Sequence, residues 1–249
     1  MKIVAVIPAR YKSSRFPGKP LADINGKPMI YWVYKHCIDS SVFDEVMVAT
    51  DDNRIMDACC QYGMNSMLTS DNNQTGTDRV AEVASRISAD IFVNVQGDEP
   101  LLEPDVIAKV IQPIRDNPEY DVVNLMTQIS DPVDFINFTI PKVITNNQNR
   151  GIYLTRSPTP YPKGSINYPV YKQVCVYAFR PSVLKFYKEY GSTNGKSKNE
   201  KIEDIEILRF IENGFHVHYE EVISNTIAVD TPNDLEKVRN YVLNHPDAL

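Results

Sequence analysis

The chain contains little cysteine, with only four residues (Cys37, Cys59, Cys60 and Cys175) among 249. Their spacing matches no zinc-ligand pattern, and four thiols are too few for a small disulfide-stapled scaffold. Adjacent residues such as Cys59 and Cys60 rarely bridge each other. We therefore expect reduced thiols and a cytoplasmic protein.

The sequence also lacks an apolar run long enough to span a membrane. The apolar stretch Ile3 to Ile7 is too short, and too quickly followed by charge, for the core of a signal peptide. We therefore expect no membrane partner.

Net positive charge is absent as well: 26 Lys and Arg against 32 Asp and Glu give a formal charge of -6. This balance argues against a nucleic-acid partner, so any polyanion must be met by a local cluster of cations. A hydrophobic content of 43% is enough for a substantial core in one domain or two closely joined ones.

The first half of the chain alternates short apolar runs with helical patterns. The runs KIVAVI, EVMVAT and DIFVNV predict strands, and the spacing predicts helices after Pro28, over Ile55 to Tyr62 and over Thr77 to Ile87. Strands that alternate with helices are typical of parallel sheets with crossover connections. The predicted fold class is α/β.

The second half is less regular. A helix is predicted from Pro104 to Asp116, and a later helix carries Ile202, Ile205, Leu208 and Ile211 on one face before Gly214. Further strands are predicted near 122–128, 142–145 and 170–179, with a proline-rich loop over 156–169, a mobile polar segment over 191–201 and a strand leading into Asp230.

Cations follow the first predicted strand, where Arg10, Arg15 and Lys19 stand among small residues such as Ser13 and Gly18. Ligands of open α/β sheets bind beyond the carboxyl ends of the strands. A loop there can wrap a phosphate chain, with backbone N–H groups and cations neutralising its charge. The loop has neither common glycine-rich phosphate fingerprint, which argues against ATP hydrolysis and dinucleotide redox chemistry. A solvated basic turn is the alternative.

Two acidic residues follow predicted strands: Asp98 in VNVQGDEPLLEP and Asp230 in IAVDTPNDLEKV. Carboxylates in such positions can bind Mg²⁺ and bridge it to the phosphates of a nucleotide. The alternatives are a turn at Gly97 and Pro100 and a cap for the last helix.

Several blocks together resemble the 3-deoxy-manno-octulosonate cytidylyltransferase family: IPARYKSSRFPGKPLADINGKPMI, VATDD, TGTDR, NVQGDEP, YLTRSP and AVDTPNDLEKV. The resemblance implies a Rossmann-like mixed sheet flanked by helices, of the nucleotide-diphospho-sugar transferase type, with a small dimerisation subdomain. It implies transfer of CMP from CTP to an acidic sugar for lipopolysaccharide or capsule, with Mg²⁺ as cofactor and a homodimer as the assembly.

The resemblance further implies one domain over residues 1–249. Its nucleotide-binding part covers about 1–130, its sugar-binding and dimerisation part about 131–225, and its C-terminal metal-ligand strand and helix 226–249.

The residue roles implied by the resemblance fall into four groups. The catalytic residues are Arg10, Lys19, Asp98 and Asp230, of which Asp98 and Asp230 bind the metal. Nucleotide binding is assigned to Pro8, Ala9, Arg10, Ser13, Arg15, Lys19, Thr50, Asp51, Thr77, Arg79, Gln96 and Gly97. Sugar binding is assigned to Gln96, Lys142, Arg156, Gln173, Tyr177, Glu206 and Ile207.

The chain departs from the family pattern in the sugar half. Gln173, Cys175 and Ile207 stand where the family has histidine, glycine and glutamine. Loss of a polar group leaves a sugar hydroxyl unpaired at a cost of about 1–3 kcal/mol. One hypothesis is a different acidic sugar, such as an 8-amino-octulosonate or another modified ulosonic acid; the alternative is neutral drift.

Two other functional classes stay open on the residues alone. A non-catalytic nucleotide-sugar sensor would keep the cytidine site without turnover. A metal-dependent glycosyltransferase would use similar strand-end acids, although such enzymes usually carry an Asp-x-Asp pair. Release of pyrophosphate from CTP and sugar acid separates the three classes.

Overall fold

The computed structural model describes residues 1–13, 15–164, 168–224, 226–245 and 248–249. Its strands are Ile3–Ala9 (β1), Asp23–Ile24 (β2), Lys27–Pro28 (β3), Glu45–Thr50 (β4), Ser66–Leu68 (β5), Ile91–Val95 (β6), Val122–Gln128 (β7), Lys142–Thr145 (β8), Gly151–Thr155 (β9), Tyr171–Phe179 (β10) and Val217–Glu221 (β11). Its α-helices are Met29–Asp39 (α1), Asn53–Gln61 (α2), Gly76–Ala84 (α3), Pro104–Ala108 (α4), Ile111–Asp116 (α5), Pro132–Ile136 (α6), Pro181–Asn194 (α7), Lys198–Glu203 (α8), Leu208–Glu212 (α9) and Pro232–Asn244 (α10).

The main sheet has the order β11-β7-β10-β6-β1-β4-β5, with β8 and β9 attached beside β10. Strands β5, β4, β1 and β6 run parallel, as in a Rossmann-like half. Strand β10 is antiparallel to both β6 and β7, and β11 is parallel to β7. The predicted α/β class with a mixed sheet is confirmed.

The central strands are buried on both faces, which explains why they read as continuous apolar runs rather than alternating ones. On one face the sheet packs against α1, α2, α4 and α5 through residues such as Ile30 and Ile107. On the other it packs against α3, α7 and α9 through residues such as Val80 and Leu184. Helix α10 packs against Ile24, Trp32 and Leu101 in a third cluster.

The single helix predicted from Pro104 to Asp116 is wrong, because the structure has two short helices, α4 and α5. Pro113 has no N–H to donate to the carbonyl of Lys109, four residues earlier, and its ring crowds that carbonyl. The chain therefore turns at Lys109 and Val110 between the two helices.

The segment 191–201 was predicted to be a mobile polar loop, and the structure corrects this. Residues 191–194 complete α7, and α8 begins at Lys198 behind a capping box in which Ser197 and Glu200 satisfy each other's backbone N–H. Polar residues dominate here because they form caps and buried hydrogen bonds, which composition alone does not reveal.

The late helix predicted through Ile202 and Ile211 is also interrupted. Asp204, at a φ of 52°, ends α8, and α9 begins four residues later at Leu208. Ile202 is consequently 69% exposed, whereas Ile205 and Leu208 are buried. Gly214, at a φ of 82°, lies just past the end of α9, as the sequence predicted.

The sequence did not predict the short strands β2, β3, β5 and β9. The predicted strands at 122–128 and 142–145 are confirmed, and the predicted strand near 170–179 forms at Tyr171–Phe179. Over its described residues, 156–164 and 168–169, the proline-rich loop carries no helix or strand; positions 165–167 of that prediction lie outside the described residues.

A buried ion pair ties the helices of one face together. The Arg209 guanidinium donates from Nε and Nη2 to the Glu200 carboxylate at 2.7 Å each, and from Nη1 to the Tyr187 carbonyl at 3.0 Å. Arg209 and Glu200 are 1% and 0% exposed. Removing one partner leaves an unpaired buried charge, which destabilises more than the pair itself stabilises.

We expect Arg209→Met to lower the free energy of unfolding by about 3–5 kcal/mol, because Glu200 would lose its counter-ion. Urea unfolding measures the effect. Lys185→Ala is the matched control, since its partner Glu189 lies 3.9 Å away and both side chains are exposed; it should change stability by less than about 1 kcal/mol. Equal effects of the two variants would contradict the assignment.

Candidate active site

A cavity of about 260 Å³ opens beyond the carboxyl ends of β1 and β6. Parallel strands place the segments that follow them at one edge of the sheet, so the chain after β1 meets the chain after β6. Predicted site residues on the wall of this nucleotide-side cavity are Pro8, Ala9, Arg10, Ser13, Arg15, Lys19, Arg79, Gln96, Gly97, Asp98, Glu206 and Asp230.

Lys19 lies at the centre of the predicted metal and phosphate residues. Its Nζ is 2.8 Å from Asp98 Oδ2 and 3.6 Å from Asp230 Oδ1. Arg15 Nη2 donates to Asp230 Oδ1 at 2.9 Å. Gly18, at a φ of 73°, lets the chain turn into the short 3-10 helix that carries Lys19. The structure therefore gathers two carboxylates and two cations from three distant parts of the chain.

Gly97 allows the two strand-end segments to lie side by side. A Cβ at this position would stand 2.9 Å from the Pro8 carbonyl oxygen and 3.2 Å from Ile30 Cδ1. Because the first contact is with backbone, a side chain could be accommodated only if the segments moved apart. A residue without a side chain is thus required where Asp98 is brought to the basic loop.

Asp230 reaches the site from a segment that is not a strand, which corrects the prediction for 227–230. The Val229 N–H donates to the Asp98 carbonyl at 2.9 Å, and this bond sets the segment beside Asp98. Thr231, rather than Asp230, caps α10 through a reciprocal capping box with Asp234. The Asp230 side chain is therefore left to the cavity.

The donor set at Asp98 and Asp230 fits a magnesium ion completed by phosphate oxygens. Within the described ranges, no cluster of three or more His, Cys, Asp or Glu residues could hold a metal. Mg²⁺ usually takes only one or two carboxylates, with waters and substrate phosphates as its other ligands. The two carboxylates already converge on a single cation, the Lys19 ammonium.

Glu206 occupies the N-terminus of α3. Its carboxylate accepts hydrogen bonds from the Gly76 N–H at 3.1 Å, the Thr77 N–H at 2.8 Å and Thr77 Oγ1 at 2.5 Å. Burial raises the pKa of Glu206, and the bonds from Thr77 and Gly76 act in the opposite direction. Thr77 was predicted to bind nucleotide, but both its N–H and its hydroxyl are engaged by Glu206 and hold that carboxylate in place.

Arg79 is 3% exposed and forms part of the cavity wall. Its Nη2 donates to Asp51 Oδ2 at 3.1 Å, and its Nη1 donates to the Thr69 hydroxyl. Thr69 in turn donates to the Thr50 carbonyl at 2.9 Å. Thr50 and Asp51, both predicted nucleotide-binding residues, thus lie behind Arg79 and orient it.

A second cavity of about 480 Å³, which we call the sugar-side cavity, adjoins the first and shares Gln96, Asp98, Asp204, Glu206 and Asp230 with it. Its wall includes the predicted sugar residues Arg156, Gln173 and Tyr177. Gln173 Nε2 donates to Asn124 Oδ1 at 2.8 Å, which leaves the side-chain oxygen and the second N–H of Gln173 to meet a ligand.

Two predicted sugar residues lie away from both cavity walls. The Lys142 ammonium donates to the carbonyls of Asn137, Ile140 and Arg156 at 2.6–3.0 Å, and burial lowers its pKa. Ile207 is 1% exposed and packs in the core with α3 and α7. Both side chains therefore stabilise the structure around the cavities and do not line them.

Arg156 is similarly engaged, although it lines the sugar-side cavity. Its guanidinium donates to the carbonyls of Glu203 at 2.6 Å, Thr139 at 2.9 Å and Asp204 at 3.1 Å. The guanidinium thereby fixes the turn after α8 against the segment before β8.

Glu99, Lys196 and Asp204 also line these cavities, and none of them was assigned to the site from the sequence. Glu99 is 4% exposed on the sugar-side wall, and burial, with a smaller effect of Asp98, raises its pKa to about 7. Lys196 and Asp204 line the nucleotide-side cavity. Glu99 could have been found as the neighbour of Asp98, whereas Lys196 carried no signal in a segment predicted to be mobile.

We expect Gly97→Ala to lower the free energy of unfolding by about 1–3 kcal/mol, because the new Cβ forces β1 and β6 apart. Thermal unfolding followed by circular dichroism measures the loss. Gly164→Ala is the control, since a Cβ there meets no atom of the described residues within 4 Å. Equal melting temperatures for both variants would show that the Pro8 contact is not constraining.

Comparison with known proteins agrees with this geometry. A family model described as Cytidylyltransferase matches residues 4–224. The chain is 43% identical, over 96% of its own length and 98% of the relative's, to a 3-deoxy-manno-octulosonate cytidylyltransferase from Geobacter sulfurreducens. It is 41% identical, over 96% and 95% of the two chains, to a protein of the same name from Escherichia coli.

Among solved structures, the chain is similar to CMP:2-keto-3-deoxy-manno-octonic acid synthetase complexed with CTP. The TM-score is 0.90, with 39% identity over 98% of this chain and 99% of the other. The chain is also similar to a structure named as a putative glucose-1-phosphate thymidylyltransferase from Bacillus anthracis, with a TM-score of 0.68 and 18% identity over 96% of this chain and 94% of the other. At this identity the likeness shows the fold alone. Since relatives above 40% identity match nearly end to end, this chain belongs to the 3-deoxy-manno-octulosonate cytidylyltransferase family.

Proposed function

We propose that this protein transfers CMP from CTP to the anomeric hydroxyl of 3-deoxy-manno-octulosonate or a similar acidic sugar. The observation that carries the proposal is the pair of adjoining cavities, one lined by Arg10, Arg15 and Lys19 and the other by Gln173 and Tyr177, which share Asp98 and Asp230. A nucleotide triphosphate in the first cavity would present its α-phosphorus to a sugar in the second.

The reaction requires no nucleophile from the protein. The sugar oxygen forms a bond to the α-phosphorus, the bond to pyrophosphate breaks, and the hydroxyl proton is released. Negative charge accumulates on the pyrophosphate, where Arg10, Arg15 and Lys19 supply fixed positive charge. The remaining contribution is alignment of the two substrates, which in favourable cases is a large part of a rate enhancement.

Magnesium is part of this proposal, and Asp98 and Asp230 would hold it. When bound, Mg²⁺ lowers the pKa of a hydroxyl and screens the approach of two anions. Lys19 would remain beside the same two carboxylates and limit their mutual repulsion.

We expect Asp98→Asn to lower kcat at least about 100-fold, because one charged metal ligand is lost without a change in shape. Pyrophosphate release in saturating CTP, sugar and Mg²⁺ measures this, and chelation of Mg²⁺ should silence the wild type. Asp116→Asn, on an exposed side chain beside Arg115, is the control and should keep wild-type turnover. Full activity of Asp98→Asn, or activity in a chelator, would contradict the metal assignment.

The same assay tests the other functional classes. A sensor would bind CTP without releasing pyrophosphate, and a glycosyltransferase would release a nucleotide from a nucleotide sugar instead. Pyrophosphate formed in step with CMP-sugar is the outcome expected for this chain.

A modified ulosonic acid is the second candidate substrate, and the side chain that favours it is Gln173. Gln173 lies on the sugar-side wall at the position where the resemblance implies a histidine, and Glu99 Oε2, which has no hydrogen-bond partner among the described residues, is buried in the same wall. Ile207 no longer supports this candidate, because its side chain packs in the core.

The acceptor is identified by running octulosonate, its 8-amino analogue and a sialic acid in parallel. Preference for octulosonate would make Gln173 a tolerated variant. Preference for another acid predicts that Gln173→His shifts kcat/KM toward octulosonate, and an unchanged preference in that variant would contradict a role for Gln173 in selectivity.

We further propose that the protein is a homodimer in the cytoplasm. Its product would serve the synthesis of lipopolysaccharide or capsule. Support for the dimer comes from Val133, Ile136 and Phe138, apolar residues on and just after α6 that are 64–73% exposed. No helix in the part of the chain described is long and apolar enough to cross a bilayer.

We expect Phe138→Asp to convert a dimer to a monomer, because a charge would be buried in the proposed apolar contact. Size-exclusion chromatography with light scattering measures the mass. Leu243→Asp on α10 is the control, since Leu243 is 76% exposed on a different element. Loss of the dimer in both variants, or a monomeric wild type, would contradict this contact.

A further inference from the structure

Lys196 is a cation of the nucleotide-side cavity that the family resemblance does not assign. It lies in the three-residue linker between α7 and α8, and it lines the cavity together with Arg10, Ser13 and Arg15. Its Nζ donates to Asp204 Oδ1 at 2.6 Å. The side chain of Lys196 is 25% exposed and that of Asp204 is 76% exposed.

The backbone on both sides of this ion pair is fixed. Gly195, at a φ of 71°, ends α7, and the Ser197 capping box begins α8 immediately after Lys196. Asp204, at a φ of 52°, ends α8, and its carbonyl accepts a hydrogen bond from Arg156 Nη2 at 3.1 Å. Lys196 is therefore presented at the cavity by rigid neighbours.

Asp204 carries its negative charge in an electropositive corner. The hydrogen bond from Lys196 is the main reason that the pKa of Asp204 is lowered, and the nearby charges of Arg156 and Arg10 act in the same direction. An exposed pair of this kind holds its partners weakly, because water competes for both charges. A polyanion of higher charge can therefore replace the Asp204 carboxylate as the partner of Lys196.

Three other cations of the cavity are also paired with carboxylates. Lys19 is paired with Asp98, Arg15 with Asp230, and Arg79 with Asp51. Lys196 differs because its carboxylate partner is mostly exposed and stands at the rim. Of these carboxylates Asp204 is the most exposed, so water already competes most strongly with it for its cation.

We propose that Lys196 binds the triphosphate of CTP, and that Asp204 holds the lysine until the nucleotide arrives. This inference rests on the proposed function. The sugar carboxylate is the competing anion, but among the residues described Lys196 lines only the nucleotide-side cavity, whereas Arg156 and Lys172 line the sugar side. A triphosphate also offers more charge than a single carboxylate.

Calorimetric titration with CTP and with CMP, in the presence of Mg²⁺, tests the assignment. Lys196→Ala should bind CTP about tenfold more weakly and CMP within about twofold of wild type, because a charge-assisted contact to the outer phosphates is lost. Lys198→Ala removes the same charge two residues away on an exposed side chain, and it should leave both affinities unchanged.

Asp204→Asn should change the affinity for CTP in the opposite direction to Lys196→Ala. Asparagine tolerates the left-handed backbone that Asp204 adopts, so the fold should be kept. Without the competing carboxylate, CTP should bind about threefold more tightly. A protein in which the Lys196–Asp204 pair is only structural would lose affinity in both variants.

The other possible results overturn either the role of Lys196 or the proposed function. Equal losses for CTP and CMP in Lys196→Ala, a loss confined to the KM of the sugar, or affinities equal to those of Lys198→Ala would overturn the role of Lys196. Failure of the wild type to bind CTP or to release pyrophosphate would instead overturn the proposed function, and the two failures are thereby told apart.

Discussion

The site depends on one ammonium group. Lys19 Nζ stands between the carboxylates of Asp98 and Asp230, which come from the end of β6 and from the segment before α10. Two carboxylates brought together without a cation repel each other and raise each other's pKa. The lysine makes the approach possible, and it joins the basic loop, the end of β6 and the C-terminal segment.

The backbone supplies the second constraint, because the sheet order places β1 next to β6 and the parallel direction places both carboxyl ends at one edge. Gly97 then permits contact with the Pro8 carbonyl that any side chain would prevent. The loop chemistry works only because the strands beneath it are buried and rigid. The sheet therefore fixes the positions of the charged side chains on the loops that follow its strands.

Most of the site's cations are already paired with protein carboxylates. This pairing keeps a highly charged cavity compatible with a marginally stable fold, since unpaired buried charges destabilise by several kcal/mol. It also orients each side chain before any ligand is present, as in the sequence from Thr50 through Thr69 to Arg79. A polyanion that binds as proposed would exchange partners within a prepared arrangement and would need little further ordering of the side chains.

Local pattern was sufficient for the α/β class, for the strands around Asp98 and for the basic loop after β1, because hydrophobic periodicity reports burial along the chain. The resemblance implied a sugar-binding role for Lys142 and Ile207, whereas the Lys142 ammonium is engaged by three carbonyls and Ile207 lies in the core. Local pattern missed Lys196, since a polar segment with buried caps has the composition of a mobile loop. Composition and periodicity describe neighbours in sequence, whereas the use of each polar group depends on contacts between residues as distant as Arg15 and Asp230, 215 positions apart, which form only when the sheet assembles.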